Sequence, residues 1–250
     1  MTYCLALKLQ EGLVFASDSR TTAGVDYIST YRKMHVFQPS EERLIVVLTS
    51  GNLATTQAVL DNLRRDLESG ATPENLGSVA YLFEAARYVG KVLAGIVQQY
   101  AGAFEGSGSD ARATLIVGGQ IAGKPPELYL VYPEGNYVSA TPETPFLQLG
   151  EFKYGKPILS RIAGANLSLD EAARLALISF DAAMKSNLSV GPPVELAIYP
   201  HDALQFSHHV SFDTESEFFR GICRCWNEQL LAAFHRLPRF DWELKGKNGN

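Results

Sequence analysis

Thr2 is the residue whose type and position could do chemistry most directly. It follows Met1, and its small side chain favours removal of that methionine. The new first residue would carry a hydroxyl nucleophile and a free α-amine together. The amine has a reference pKa of about 7.7–8.0, so it can act as the general base for that hydroxyl near neutral pH. Because many proteins begin with the same two residues, a prediction of catalysis by an N-terminal threonine depends on the residues around Thr2.

Two charged residues could support such a nucleophile. Asp18 is charged within the otherwise apolar stretch VFASDS, and Lys33 follows a polar loop. A lysine ammonium held beside the α-amine would keep the amine deprotonated, because like charges disfavour each other. It would also stabilise an alkoxide, and Asp18 would keep Lys33 charged and oriented. Taken singly, each residue is equally consistent with a surface charge near the end of a strand.

A β-hairpin is the first element that must position these residues. Apolar residues alternate with others in Tyr3–Leu9, which predicts a strand. Gln10-Glu11-Gly12 predicts a turn, and residues 13–19 predict the second strand. With a two-residue turn we expect Thr21 to lie roughly opposite Thr2.

The rest of the chain alternates groups of strands with pairs of helices. Strands are predicted at residues 44–48, 115–117, 128–132, 194–199 and 204–210, with 103–111 as a loop. Helices are predicted after the capping residue Asn52, from Thr72-Pro73 to about Tyr100, from the capping box at Ser168, and over 214–235. Hairpins followed by paired helices favour antiparallel sheets covered by helical layers. We predict one domain over residues 1–250, with a loose tail from about residue 240.

Composition argues against several classes of protein. The net charge of −5 is spread along the chain without a basic stripe, so nucleic acid is not an expected partner. No apolar stretch of about eighteen residues predicts a membrane span, and no secretory signal is recognisable. The three cysteines, Cys4, Cys223 and Cys225, are typical of reduced thiols in a cytoplasmic protein. The five histidines show no metal-binding spacing, and we expect no metal or cofactor.

The combined pattern resembles the proteasome β-subunit superfamily, in particular its Anbu (ancestral β-subunit) branch, and more distantly HslV. The resemblance rests on Thr2 at the mature first position, the strand–turn–strand start MTYCLALKLQEGLVFASDSRT, and the segments Ala16-Ser17-Asp18-Ser19-Arg20, Tyr31-Arg32-Lys33 and Thr49-Ser50-Gly51. It runs nearly end to end, and the combination is far more specific than any single residue.

The resemblance implies a fold and a set of site residues. The fold is the α+β, four-layer αββα sandwich of N-terminal-nucleophile hydrolases, with two antiparallel sheets between helix layers. The implied catalytic residues are the nucleophile Thr2, the charged pair Asp18 and Lys33, Arg20 near the same site, and Gly51, whose N–H contributes to the oxyanion hole. A glycine suits a donor that must approach the substrate closely. Tyr31, Thr49 and Leu53 match positions that line the specificity pocket.

Two segments depart from the proteasome pattern. Gly150-Glu151-Phe152 stands where proteasome β-subunits carry Gly-Ser-Gly, so Glu151 replaces the serine. Ser186-Asn187-Leu188-Ser189 stands where they carry Asp-x-x-Ser-Gly, so Ser186 replaces the aspartate while Ser189 is expected to keep its supporting role. The surroundings of the nucleophile are therefore altered.

The resemblance implies a threonine-type peptidase that cleaves polypeptide amides through an acyl-enzyme. Two alternatives remain: an N-terminal-nucleophile amidohydrolase acting on a small amide or ester, and a catalytically inactive subunit that only assembles. The resemblance also implies a ring-like or related homo-oligomer as the partner state. The natural substrate, the subunit number and the existence of an ATPase partner cannot be read from the residues.

Overall fold

A computed structural model describes residues 2–23, 27–70, 72–104, 110–164 and 166–245. The described chain forms two compact units, the first ending at Thr214 and the second beginning at Glu215. The prediction of a single domain stays a prediction.

The strands of the first unit are β1 (Tyr3–Leu9), β2 (Gly12–Asp18), β3 (Arg20–Ala23), β4 (Tyr27–Thr30), β5 (Met34–Ser40), β6 (Arg43–Gly51), β7 (Ala113–Ile121), β8 (Glu127–Val131), β9 (Tyr137–Ser139), β10 (Phe146–Gly150), β11 (Val194–Pro200) and β12 (His208–Phe212). Its helices are α1 (Leu53–Ser69), α2 (Leu82–Phe104), α3 (Phe152–Ile162) and α4 (Leu169–Ser186).

Two five-stranded antiparallel sheets form the centre of the first unit. The first sheet has the order β10-β1-β2-β11-β12, and the second has the order β5-β6-β7-β8-β9. Buried residues of both sheets form one apolar cluster, for example Phe15 from the first with Leu48 and Ile116 from the second. Helices α1 and α2 contact the second sheet, whereas α3 and α4 contact the first. These four layers confirm the predicted αββα sandwich.

The continuous apolar run in β6 follows from this layering. Alternate side chains of a strand point to opposite faces of the sheet. Val46 and Leu48 therefore enter the cluster between the sheets, while Ile45 and Val47 enter a second cluster with α1 and α2. A strand covered on both faces has no position for a solvated polar residue, so it is hydrophobic throughout.

The hairpin register corrects one prediction. The two-residue turn at Gln10 and Glu11 pairs Leu9 with Gly12 and Cys4 with Ser17. Asp18, one residue further on, therefore lies beside Tyr3, and the backbone N–H of Tyr3 donates to its carboxylate at 3.0 Å. The expectation that Thr21 lies opposite Thr2 is wrong, because a turn of that length fixes every later pair of the hairpin.

The second helix begins later than predicted. Helix α2 starts at Leu82, not at Thr72-Pro73. The Asn75 side chain donates to Thr72 O and accepts from Gly77 N, which folds the segment after Thr72 into local turns. Asparagine and serine side chains compete in this way with helical backbone hydrogen bonds. Glu84 instead accepts from the N–H groups just before α2.

The last strand of the first sheet is also displaced. It begins at His208, whereas the prediction began at residue 204. Asp202 and Leu204 have positive φ angles of 60° and 51°, which extended backbone does not allow. Leu204 N donates to the Tyr199 hydroxyl at 3.1 Å, so this segment forms a turn before the strand.

The second unit contains α5 (Glu217–His235) and α6 (Asp241–Lys245). The Ser216 hydroxyl accepts from Phe219 N and caps α5, close to the predicted helix at 214–235. Helix α6 lies within the segment we expected to be loose from about residue 240, as do residues 246–250, which are outside the described ranges. None of the helices in the described part of the chain has the length and apolar character of a membrane span.

Candidate active site

Thr2 is held at the point where β1 meets the end of β10. Its carbonyl oxygen accepts a hydrogen bond from Glu151 N at 2.8 Å. Gly150, which precedes that donor, has a φ of +75°, and a Cβ there would lie 1.7 Å from Thr2 O. Only glycine allows both this backbone angle and this approach. The Gly150-Glu151 pair therefore fixes the backbone of the candidate nucleophile.

Asp18 and Lys33 form a buried ion pair next to this backbone. Lys33 Nζ donates to Asp18 Oδ1 at 2.6 Å, and the two residues are 5% and 0% exposed. Asp18 also accepts from the backbone N–H groups of Tyr3 at 3.0 Å and Gly191 at 3.4 Å. Burial raises the pKa of the Asp18 carboxyl above its ordinary value, and Lys33 and the two backbone donors oppose that rise. The pair that sequence reasoning put together is thus in direct contact.

Lys33 is also fixed from the other side. Its Nζ donates to Arg20 O at 2.6 Å, and its carbonyl accepts from Thr49 N at 3.0 Å. Two acceptors at hydrogen-bond distance restrict the ammonium to one position. Lys33 and Thr2 both line the same cavity.

Arg20 makes a hydrogen bond to a distant part of the chain, whereas Ser189 bonds within its own turn. The Arg20 guanidinium donates to Leu188 O at 2.7 Å, which fastens the segment following α4 to the site. A Cβ on Gly191 would lie 2.3 Å from the guanidinium carbon, so a larger residue there would displace the Arg20 side chain. The Ser189 hydroxyl, by contrast, bonds Asn187 Oδ1 at 2.5 Å within its own turn.

The predicted specificity residues lie together. Thr2 opens on a cavity of about 470 Å³ that is also lined by Tyr31, Thr49, Gly51 and Leu53. Gly51 has a φ of +111°, and a Cβ there would lie 2.6 Å from Arg112 O. This glycine is therefore demanded by the close approach of β7 as well as by its backbone angle.

Several residues of this cavity were not predicted as site residues from the sequence, among them three with basic side chains. Arg32 lies just before β5, His35 lies in β5, and Arg64 comes from the fourth turn of α1. Burial, followed by the charges of Arg64 and Arg32, lowers the pKa of His35 to about 4. Helical spacing places Leu53 and Arg64 on one face of α1, but nothing in the sequence indicates that this face lies in the same cavity as Thr2.

Glu151 is the departure from the proteasome pattern that lies nearest to Thr2. It is 5% exposed, and its Oε2 has no hydrogen-bond partner among the described residues. Lys153 Nζ lies 3.8 Å from this Oε2 atom. A carboxylate buried in this way is costly, because its charge is removed from water without full compensation. Glu151 sits before α3 but makes no side-chain capping bond there.

Cys4 lies close to the charged pair but is not suited to chemistry. Its Sγ donates to Thr49 O at 3.6 Å, and burial strongly raises the pKa of the thiol. A thiol kept protonated in this way is a poor nucleophile. Within the described ranges, no group of three or more His, Cys, Asp or Glu side chains is arranged to hold a metal ion.

Comparison with known proteins agrees with this geometry. The proteasome subunit family matches residues 2–199. The chain belongs to that family. It is 42% identical to Anbu (ancestral beta-subunit) from Yersinia bercovieri, covering 96% of this chain and all of that one, with a TM-score of 0.89. It is 44% identical to the Anbu of Pseudomonas aeruginosa, covering 96% and 98%, also with a TM-score of 0.89.

A more distant curated relative extends the comparison. The proteasome subunit beta of Haloquadratum walsbyi is 22% identical over 214 residues, which cover 85% of this chain and 79% of that protein. Together with the Anbu structures, this match makes the chain a proteasome-like β-subunit, and thus a hydrolase of the N-terminal-nucleophile type at the level of the family.

Proposed function

We propose that this Anbu-type chain is a threonine peptidase in which Thr2, exposed by removal of Met1, is the nucleophile. The observation that carries the proposal is the buried ammonium of Lys33, which is held by Asp18 at 2.6 Å in the wall of the cavity onto which Thr2 opens. A buried lysine–aspartate pair costs desolvation free energy that a purely structural position could avoid with apolar residues. Its placement at a threonine that can become N-terminal favours a catalytic purpose.

The reaction would proceed through an acyl-enzyme. Thr2 Oγ1 attacks the carbonyl carbon of the substrate amide and transfers its proton to the α-amine of the same residue. The negative charge on the carbonyl oxygen is stabilised by the N–H of Gly51. When the carbon–nitrogen bond breaks, the ammonium returns the proton to the leaving amine. Water then attacks the ester on Thr2, with the α-amine again as base, and releases the carboxylic acid product.

Lys33 and Asp18 would act on that amine without joining it in a covalent step. The positive charge of Lys33 disfavours a second positive charge nearby, so it keeps the α-amine in its basic form. Asp18 holds Lys33 in place, and the Tyr3 and Gly191 N–H groups hold Asp18. Arg20 contributes by accepting from Lys33 through its carbonyl and by fastening the segment at Leu188.

The cavity would bind the substrate. Tyr31, Thr49 and Leu53 line it beside Thr2, and its volume of about 470 Å³ admits a side chain with part of the adjoining peptide. We propose polypeptide as the substrate, without assigning an ATPase partner. One solved relative is described as a helical assembly of the Anbu complex, and we propose that this chain also self-associates, as predicted for a ring-like or related oligomer.

A catalytically inactive assembly subunit is the second candidate. Two observations favour it: Glu151 places a buried carboxylate where proteasomes have serine, and the Ser189 hydroxyl donates to Asn187 Oδ1 within its own turn. Both concern the surroundings of Thr2 and leave the Lys33–Asp18 pair intact. The small-amide hydrolase uses the same chemistry as the peptidase and differs only in its substrate.

The decisive test begins with intact-mass measurement and Edman sequencing of the purified protein, which should find chains that start at Thr2. A panel of fluorogenic peptides and small amides is then assayed with Thr2→Ser and Thr2→Ala as a matched pair. Serine keeps the hydroxyl and the amine and loses only the methyl that restricts the rotamer. We expect Thr2→Ser to retain turnover and Thr2→Ala to have none.

An epoxyketone, which reacts with both the hydroxyl and the amine, should label residue 2. Labelling elsewhere, or an active preparation that keeps Met1, would refute the proposal. Cleavage of small amides alone would support the amidohydrolase. No labelling and no turnover on chains that start at Thr2 would establish the inactive subunit.

A further inference from the structure

The cavity at Thr2 is a groove that extends along α1. Leu53, Gln57, Leu60 and Arg64 all line it, and their spacing places them on one face of the helix. Eleven residues separate the first from the last, which corresponds to about 16 Å along the helix axis. The groove therefore reaches well beyond the reacting atoms, from the end of β6 to the fourth turn of α1.

Charge is distributed unevenly along this groove. The residues near Thr2 that come from β6 and from the start of α1, such as Thr49 and Leu53, are uncharged. The charged residues that line the groove include Arg32 and Arg64, together with the carboxylate of Asp61. Lys33 also lines it, but its charge is compensated by Asp18.

The two arginines are only weakly compensated by their own partners. Arg64 contacts Asp61 at 3.1 Å, but the side chains are 50% and 73% exposed, and an exposed pair of this kind contributes little. Arg32, which is 70% exposed, approaches the Glu195 carboxylate at 3.7 Å. That carboxylate is already bonded to His209 Nε2 at 2.7 Å. Each guanidinium carries five N–H donors, so donors remain for a ligand.

His35 reports the charge at the groove wall. It lines the groove together with both arginines. After burial, the charges of Arg64 and Arg32 are the causes that lower its pKa, to about 4. At neutral pH the imidazole is therefore uncharged, while both guanidinium groups remain positive. An anionic group placed here would meet two cations and a neutral ring.

We infer that the groove selects peptides with an acidic residue on the acyl side of the amide that is cleaved. This inference rests on the proposed function. The acyl part must stay beside Thr2 while water attacks the ester, so the groove that opens on Thr2 holds that part of the substrate. A glutamate or aspartate carboxylate matches the planar fork of an arginine, and a polypeptide supplies carboxylates as its anions.

The test uses peptides that are identical except for glutamate or glutamine at one of the three residues preceding the scissile amide. Binding is measured by calorimetry on chains shown to begin at residue 2 and carrying Thr2→Ala, which cannot turn the peptides over. At one of the three positions we expect the glutamate peptide to bind about tenfold more tightly, which corresponds to 1.4 kcal/mol. Adding Arg64→Ala or Arg32→Ala should remove most of that preference, whereas Arg174→Ala, on the outer helix α4, should leave it unchanged.

The same peptides are assayed for turnover with Thr2 intact. Selective binding without any turnover would overturn the peptidase proposal and leave the acid-selective groove standing. Turnover with equal affinity for glutamate and glutamine at all three positions would overturn the groove inference alone. A preference that survives the double variant Arg32→Ala/Arg64→Ala would also contradict it, since the selectivity would then come from other residues.

Discussion

Replacing Gly150 with alanine should displace the candidate nucleophile. A Cβ at this position would lie 1.7 Å from Thr2 O, and contacts shorter than 3.0 Å are essentially never seen, so the two backbones must separate by about 1.3 Å. The hydrogen bond from Glu151 N to Thr2 O is lost or distorted in the same movement. A misplacement of about 1 Å at reacting groups can reduce a rate by about 10²-fold. We therefore expect Gly150→Ala to lose about 100-fold or more in kcat/KM.

Gly123 provides a matched control for the backbone angle. Its φ of +72° is close to the +75° of Gly150, but a Cβ there has nothing within 4 Å. Both substitutions cost about 1–2 kcal/mol because alanine disfavours a left-handed backbone. Only Gly150→Ala adds the collision with Thr2.

The assay compares the two variants for peptide turnover, epoxyketone labelling of residue 2 and urea unfolding. We expect Gly123→Ala to keep turnover within about threefold of the parent while losing about 1–2 kcal/mol of stability. Gly150→Ala should lose more stability and nearly all labelling. If it turned over peptides as fast as Gly123→Ala, the packing of Gly150 would not position the nucleophile, and the reasoning would be refuted.

The buried ion pair and the cavity histidine give two further predictions. Lys33→Met should abolish turnover and lower the free energy of unfolding by about 3–5 kcal/mol, because it leaves the Asp18 carboxyl buried without its charged partner. Adding Asp18→Asn should restore much of that stability but no activity, and parental turnover in either variant would contradict the assignment. The pKa of His35 is about 4 in the folded chain, below its ordinary value of 6.5, so its contribution to stability is present above pH 6.5 and is lost as the pH falls towards 4. We expect the parent to lose up to about 3 kcal/mol relative to His35→Asn across that interval in urea unfolding, and parallel curves for the two proteins would refute this.

Local signals predicted most of the fold, and the two errors arose where a local signal was misinterpreted. The Asn52 cap and the Ser168 capping box involve residues three positions apart, and both are present in the structure. The predicted start of α2 was wrong because asparagine is compatible with either a helix or a turn. The hydrogen bonds of the Asn75 side chain to Thr72 and Gly77 favour the turn. The register error at Thr21 arose from counting across the hairpin, because a two-residue turn that pairs Leu9 with Gly12 also pairs Cys4 with Ser17.

Some residues of the candidate site could be predicted from the sequence, and others could not. Thr2 was singled out by its place after Met1 and Asp18 by its charge within an apolar strand, whereas Gly51 was implied by the family resemblance. The position of Arg64 in the cavity wall could not be predicted, since an arginine on an exposed helix face is ordinary until the strand that faces the helix is known. Its position beside His35 exists only after α1 has packed onto the second sheet.

Asp18 shows why a local conflict in a sequence indicates function. Strand β2 is buried along its whole length, and an apolar residue at its last position would satisfy the sheet without desolvating a carboxylate. The chain instead places three donors around this one carboxyl: Lys33 Nζ and the N–H groups of Tyr3 and Gly191. The Arg20 carbonyl accepts from the same lysine. Stability alone does not require that arrangement, since an apolar pair of similar volume is often neutral or stabilising. What the arrangement does provide is a fixed positive charge on a residue that lines the same cavity as Thr2. In the proposed mechanism this charge would keep the α-amine in its basic form.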